Sequence, residues 1–409
     1  MADFKPFRGV RPPRDRAHLV ASRSYISYSE KGLHDKLLAN PFTFLHVIMP
    51  ETKHKEFKDL DVVARFEIVK NEYKSFLEKG HVVKDEEPAF YLYRQTKLNH
   101  EYLGIIGGVA STDYESGVIK KHEETITKRE GLFKKYLETT SFNAEPVLLA
   151  YEDSEKINSL TSKLTKKRPE YEFFTANEVK HEMWIIKKSK HIEQIQEEIK
   201  SLNGLYIADG HHRCASSALL SKECIGNDTS RKSHFMAMLI PKSSLKIYEY
   251  NRVIRDLNGL TVEDLLEKVS HDFDVQKMAS SYKPEMMHTF GMYLERSWYK
   301  MILKDGKLGD DIVDQLDARI LTHKILNPHL GIGDLKTDDR VGFVNGLDGV
   351  KKITERVDSG KYKVGFALFP ASFEQLKKIS DANLTMPPKS TWIEPKLRSG
   401  LTIYNLTED

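Results

Sequence analysis

The chain has 409 residues, 40% of them hydrophobic and 30% charged, with 63 basic against 60 acidic side chains and a formal net charge of +3. That length predicts two or three lobes with ample apolar burial, and the composition excludes extended disorder. Near-neutral charge excludes a global field able to hold a nucleic acid backbone or an anionic membrane, so neither is an expected partner. Met1 to His18 lack an apolar core and no apolar run approaches the length of a membrane span, so neither export by a signal peptide nor membrane insertion is expected. Only Cys214 and Cys224 are present, without partners at zinc-site spacing, which fits a reducing cytoplasm.

In chain order, the apolar run Phe42 to Met49 after Asn40-Pro41 predicts a strand, Val62 to Glu78 has helical periodicity, and aromatic Ala89 to Tyr93 predicts a strand. Leu103 to Ala110 is an apolar stretch broken by Gly104, Gly107 and Gly108. The charged segment Lys120 to Thr125 leads into a helix with Leu132, Phe133 and Leu137 on its apolar side, ending near Thr140. Pro146 to Tyr151 predicts a buried strand, Ser154 to about Lys166 a helix, and Met183 to Ile186 another strand. Ile192, Ile195, Ile199 and Leu202 mark one face of a helix that Asn203-Gly204 stops.

Leu205 to Ala208 then reads as a short buried strand, and Asp209-Gly210-His211-His212 turns the chain into a helix carrying Ala215, Ala218, Leu219 and Leu220. Phe235 to Ile240 predicts a strand, residues 250–330 show mostly helical patterns, and Val364 to Phe369 with Phe373 to Ile379 predict a strand followed by a helix. There is no internal repeat.

The strand-to-helix junction is the richest feature. A helix start offers unpaired backbone N–H groups and partial positive charge, and a glycine at the turn lets an anion approach. Arg213 adds a forked donor suited to phosphate, and Asp209 ends a strand, where a carboxylate commonly holds Mg²⁺. The competing interpretation is an ordinary Asp-Gly turn with packed histidines. Adjacent His211 and His212 diverge by about 100° on a helix, which argues against a histidine-only zinc site. His122-Glu123 precedes a helix, where acidic residues also serve the macrodipole. In the tail, Pro387-Pro388 stiffens a loop presenting Lys389, Ser390 and Thr391, a candidate phosphate cradle, and Trp392 either stacks on a ligand or anchors the loop. Neither a Walker loop, a Gly-x-Gly-x-x-Gly run nor a protein-kinase signature occurs.

Taken in order, His122-Glu123, Asp209-Gly210-His211-His212-Arg213 and Pro388-Lys389-Ser390-Thr391 resemble the free L-serine kinases of the ParB/sulfiredoxin-like superfamily. Over nearly its whole length the chain also resembles a large family of bacterial and protist proteins long labelled a domain of unknown function, with family-like runs at Asn40-Pro41-Phe42, His122 to Thr125 with Arg129, and Met386 to Thr391 with Pro395-Lys396. Some of its members are serine kinases that use pyrophosphate.

The resemblance implies an α/β (α+β) fold with a ParB/sulfiredoxin-like mixed-sheet catalytic core over residues 119–249. An N-terminal α/β lobe (1–118), a mainly helical lobe (250–345) and a C-terminal α/β segment returning to the active site (346–409) complete the expected organisation. It further implies phosphoryl transfer to L-serine, giving O-phospho-L-serine, with pyrophosphate preferred over ADP or ATP as donor. Glu123 becomes the base for the serine hydroxyl, with Asp209 and His212 as further catalytic residues and Asp209 as the ligand of Mg²⁺, the expected cofactor. Gly210, His211, His212, Arg213, Lys389, Ser390 and Thr391 become phosphate ligands, and His122 and Trp392 substrate contacts. The chain departs from the small nucleotide-using kinases in the long segment Thr140 to Asn203 and in Trp392-Ile393 after the tail motif. Sulfiredoxin chemistry is excluded because His211 replaces the nucleophilic cysteine and Cys214 follows Arg213. The alternatives are a ParB-like nucleotide-dependent DNA-binding or scaffolding protein, for which no helix-turn-helix region is evident, or a kinase of threonine, homoserine or another small hydroxyl compound.

Overall fold

Where a side chain can cap a helix, the predicted helices begin on schedule. Asp61 accepts from the backbone N–H groups of Val63 and Ala64, and the helix runs Val62–Glu78, as its periodicity predicts. The computed structural model describes residues 1–50, 57, 59–223 and 232–406; Cys224 lies outside them. The chain divides into two compact units, Met1–Leu245 with Pro395–Asp409, and Lys246–Glu394.

The first unit is built on a nine-stranded mixed sheet. Its order runs from Ile119–Lys120 through Leu205–Asp209, Val147–Tyr151, His234–Pro241, His100–Ala110, Phe90–Lys97 and Lys180–Ile186 to Tyr171–Phe174, with Phe4–Lys5 added to His100–Ala110. Leu205–Asp209 pairs parallel with Ile119–Lys120, and His234–Pro241 parallel with Val147–Tyr151; the other pairs are antiparallel. Ile157, Leu160, Leu164, Ile195 and Ile199 of two helices pack against Val147, Leu149, Ile207, Phe235 and Leu239 of the sheet. The glycines in His100–Ala110 do not break the strand. A Cβ on Gly107 would lie 2.5 Å from the Phe4 ring, so this position is small because another element crosses it closely.

The second unit contains a six-stranded antiparallel sheet in the order Phe273–Met278, Ser297–Leu303, Thr289–Leu294, Val364–Ala367, Tyr250–Ile254, Val341–Asn345. One apolar cluster joins Phe290, Met292 and Phe366 to Leu265 and Val269 of the Val262–Val269 helix; a second joins Val253, Tyr293 and Trp298 to Ile353 and Val357 of the Gly349–Asp358 helix.

This architecture bears out the α/β (α+β) expectation and corrects several of its parts. The stretch expected to be mainly helical, 250–345, supplies five of the second unit's strands. Thr289–Leu294 is buried at every position, so it lacks the alternation that marks a strand. The division between 118 and 119 has no counterpart, because strands on both sides of it share the nine-stranded sheet. The 346–409 segment is split: it belongs to the second unit through Glu394 and to the first from Pro395. Phe42 to Met49 contains the short helix Leu45–Ile48 and no strand. Asn40 is the cause, accepting from the Phe42 N–H at 3.0 Å and donating to the Leu19 carbonyl at 2.7 Å, which curls the chain. Among the described residues no helix is long and apolar enough to cross a membrane.

Candidate functional site

Leu205–Asp209 is buried from Leu205 to Ala208, and Asp209 emerges half-buried at its end. Gly210 follows with φ +100°, in the region that favours glycine. A Cβ there would also stand 3.0 Å from Arg213 Nε. The His211–Glu223 helix begins at once, and the Cys214 N–H donates to the Gly210 carbonyl at 3.0 Å as the first bond of the helix. The N–H groups of its first turn precede that ladder and face outward from the helix start.

A chain of charges surrounds this turn. Arg213 Nη2 donates to Asp209 Oδ2 at 2.6 Å, and Lys396 Nζ donates to Asp209 Oδ1 at 2.8 Å. Arg213 Nη1 donates to the Pro146 carbonyl at 2.8 Å and pairs with Glu145 Oε1 at 2.8 Å, while Ser399 Oγ donates to Glu145 Oε2 at 3.0 Å. Burial works to raise the Asp209 carboxyl, but the Lys396 ammonium and the Arg213 guanidinium outweigh it and hold the group at about 2. Asp209 is therefore a fixed anion shared by two cations.

On the other side of the helix start, His122 and His211 meet edge to face, with ring centroids 4.5 Å apart. The His122 backbone N–H donates to His211 Nε2 at 3.5 Å, which places the proton of the neutral ring on Nδ1. Nδ1 lies 3.6 Å from Glu123 Oε2, and the Glu123 side chain is 53% exposed. Burial lowers His211 to about 4, with Asp209 opposing, so the ring is neutral near pH 7. Burial and the neighbouring His211 push His122 well down. His212 is lowered by burial and Arg129, against Glu123 and Glu130. The Nδ1 atoms of both His122 and His212 are buried without a hydrogen-bond partner, two unused polar groups at one site. Burial raises the Cys214 thiol, which keeps it protonated and unreactive.

The structure thus brings together His122, Glu123, Asp209, Gly210, His211, His212 and Arg213. Lys389, Ser390, Thr391 and Trp392 belong to the second unit. There the Lys389 ammonium lies over the Tyr250 ring at 5.4 Å, Ser390 Oγ donates to the Pro387 carbonyl at 2.7 Å, and Trp392 Nε1 donates to Glu394 Oε1 at 3.0 Å. Lys396 and Glu145 were not among the expected site residues. The only sequence signal for Lys396 is its place in the Pro395-Lys396 run, and Glu145 has none beyond preceding the Pro146 turn into a strand.

A Mg²⁺ ion at Asp209 would share that carboxylate with two cations, because Arg213 meets Oδ2 and Lys396 meets Oδ1.

The profile of the family described as "Protein of unknown function (DUF1015)" matches residues 4–319. Among solved structures, the chain is similar to a free serine kinase in complex with AMP (12% identity, TM-score 0.36, covering 74% of this chain and 92% of that one). It is also similar to a conserved hypothetical protein from Pyrococcus furiosus (12% identity, TM-score 0.34, 72% and 93% covered). A third is SbnI with a C-terminal truncation from Staphylococcus aureus (11% identity, TM-score 0.36, 71% and 82% covered). No curated protein matches the chain.

Proposed function

We propose that this chain, which belongs to the DUF1015 family of proteins of unknown function, transfers a phosphoryl group from pyrophosphate to the hydroxyl of free L-serine, forming O-phospho-L-serine. The observation that carries this reading is the meeting of Glu123 with His211 at the start of the His211–Glu223 helix, 3.6 Å apart. It puts an exposed carboxylate beside a group of donors suited to phosphate, the combination that activating a hydroxyl next to a phosphoryl group requires.

In this mechanism Glu123 takes the proton of the serine hydroxyl as its oxygen forms a bond to phosphorus. The bridging P–O bond of pyrophosphate breaks, and inorganic phosphate leaves with the bonding pair. Neutral His211, with its proton on Nδ1, faces the Glu123 carboxylate across 3.6 Å. The first-turn N–H groups, Arg213 and Lys396 counter charge on the transferring group, and Asp209 fixes the two cations in place. No step is assigned to Mg²⁺. Roles for Lys389, Ser390 and Thr391 with phosphate rest on the motif resemblance alone.

The acceptor is tested by offering L-serine, L-threonine and L-homoserine together with pyrophosphate and identifying phosphorylated products by mass spectrometry. Phosphoserine should dominate. A different phosphorylated amino acid would reassign the substrate, and none with pyrophosphate, ADP or ATP would end the kinase reading.

A further inference from the structure

The second unit holds a separate group of polar atoms that its fold does not use. Glu249 and Asp317 are 3% and 8% exposed. Glu249 Oε2 and Asp317 Oδ2 are buried without a hydrogen-bond partner. Both residues line one cavity with Tyr250, Leu316, Phe369 and Ser390, and its room for a solvent-sized occupant is about 10 Å³. That is the space of a single water molecule or a group of similar size.

The backbone of Glu249 is fixed by the Gly346 N–H, which donates to its main-chain carbonyl at 2.8 Å, and a Cβ on Gly346 would lie 2.6 Å from Glu249 Oε2, so glycine there leaves room for the carboxylate. The His288 N–H donates to Asp317 Oδ1 at 3.0 Å, leaving Oδ2 unused. Lys283 lies 3.6 Å from Glu249 Oε1, on the oxygen opposite the unused one. Asp317 has no ion pair among the described residues. Burial accordingly raises its carboxyl to about 7, against the backbone N–H groups of His288 and Phe369.

The occupant follows from these features. An anion would meet two buried carboxylates, and a water molecule would satisfy oxygens without supplying charge. A divalent metal on two carboxylates needs waters to complete its coordination shell, and the cavity has room for only one water-sized group. A primary ammonium brings one positive charge and three N–H donors into the space of a water. Ser390 Oγ, which donates to the Pro387 carbonyl at 2.7 Å, retains lone pairs to accept the third.

We propose that this cavity binds the ammonium head of a small primary amine, with Glu249 and Asp317 as its paired carboxylates and Ser390 as the neutral acceptor. The proposal goes beyond the phosphoryl-transfer reading and does not depend on it, and it assigns Ser390 to the amine in place of the phosphate that the motif resemblance implies.

The test uses the intact chain without any phosphate donor. Thermal unfolding is followed while methylammonium or ethanolamine is titrated, with methanol and ethylene glycol as uncharged counterparts and potassium chloride at matched ionic strength. The amines alone should raise Tm saturably, and Asp317→Asn and Glu249→Gln should each weaken that binding by about tenfold or more. Both amides are isosteric with the carboxylates, and wild-type circular dichroism would establish that each variant is folded. Three results would overturn the proposal: no saturable response to either amine, an equal response to potassium, or unchanged affinity in both variants.

Discussion

Two aspartates illustrate opposite uses of burial. Asp209, at the junction in the first unit, is held at about 2, whereas Asp317, beside the cavity in the second, is raised to about 7. Burial pushes both upward. Asp209 has Lys396 and Arg213 on its two oxygens, whereas among the described residues Asp317 is faced by backbone N–H groups alone. The junction is therefore an electrostatically finished assembly around a fixed anion, while the second site keeps a carboxyl group that no cation among the described residues pairs with.

The largest expected effect falls on the first region. Glu123→Gln should lower turnover by a factor of roughly 10² or more while leaving the fold intact, since the side chain is 53% exposed. Steady-state rates and circular dichroism measured together would check this, and unchanged turnover would remove Glu123 as the base. Next, Asp209→Ala leaves Arg213 and Lys396 facing each other without their shared anion. It should cost about 1–3 kcal/mol in urea unfolding, at the lower end because solvent reaches the site. Gly210→Ala should cost about 1–2 kcal/mol from its φ of +100° and the nearby Arg213 guanidinium.

An effect of the opposite sign sharpens the comparison. The Asp317 carboxyl is raised from 3.8 to about 7, so the folded state retains a proton the unfolded state has lost, and stability falls as pH rises through that window. Asp317→Asn should therefore gain on the wild type between pH 4 and 7 and hold that gain above it. Asp209 and His211 act in the other direction. His211 is lowered from 6.5 to about 4, and Asp209 from 3.8 to about 2, so each withdraws stability as pH falls through its own window. Thermal midpoints across pH for the wild type and Asp317→Asn would separate the two signs; parallel curves would contradict the contrast.

Much of the junction was legible in the sequence because its cause is local. A buried run, a glycine and a polar helix start specify the turn from Leu205 to Arg213 without outside help. The Val62–Glu78 helix was legible for the same reason, through its period and its Asp61 cap. What could not be read depends on distant chain. Lys396 meets Asp209 across 187 positions, from an irregular tail with no period to mark it. Between 250 and 330 strands were mistaken for helices because a strand such as Thr289–Leu294 is buried throughout, which erases the alternation that distinguishes a strand; Val364–Ala367, equally buried but short, was read correctly as a strand. Phe42 to Met49 failed through turn chemistry, since Asn40 redirects a run whose apolarity alone suggested a strand.

The most direct test of phosphoryl transfer is a phosphorus NMR time course of the wild-type chain with L-serine and pyrophosphate, run with and without Mg²⁺. The account predicts one O-phospho-L-serine and one inorganic phosphate for each pyrophosphate consumed, with the yield abolished in Glu123→Gln. Release of two inorganic phosphates without phosphoserine, or no consumption of pyrophosphate, ADP or ATP, would contradict it.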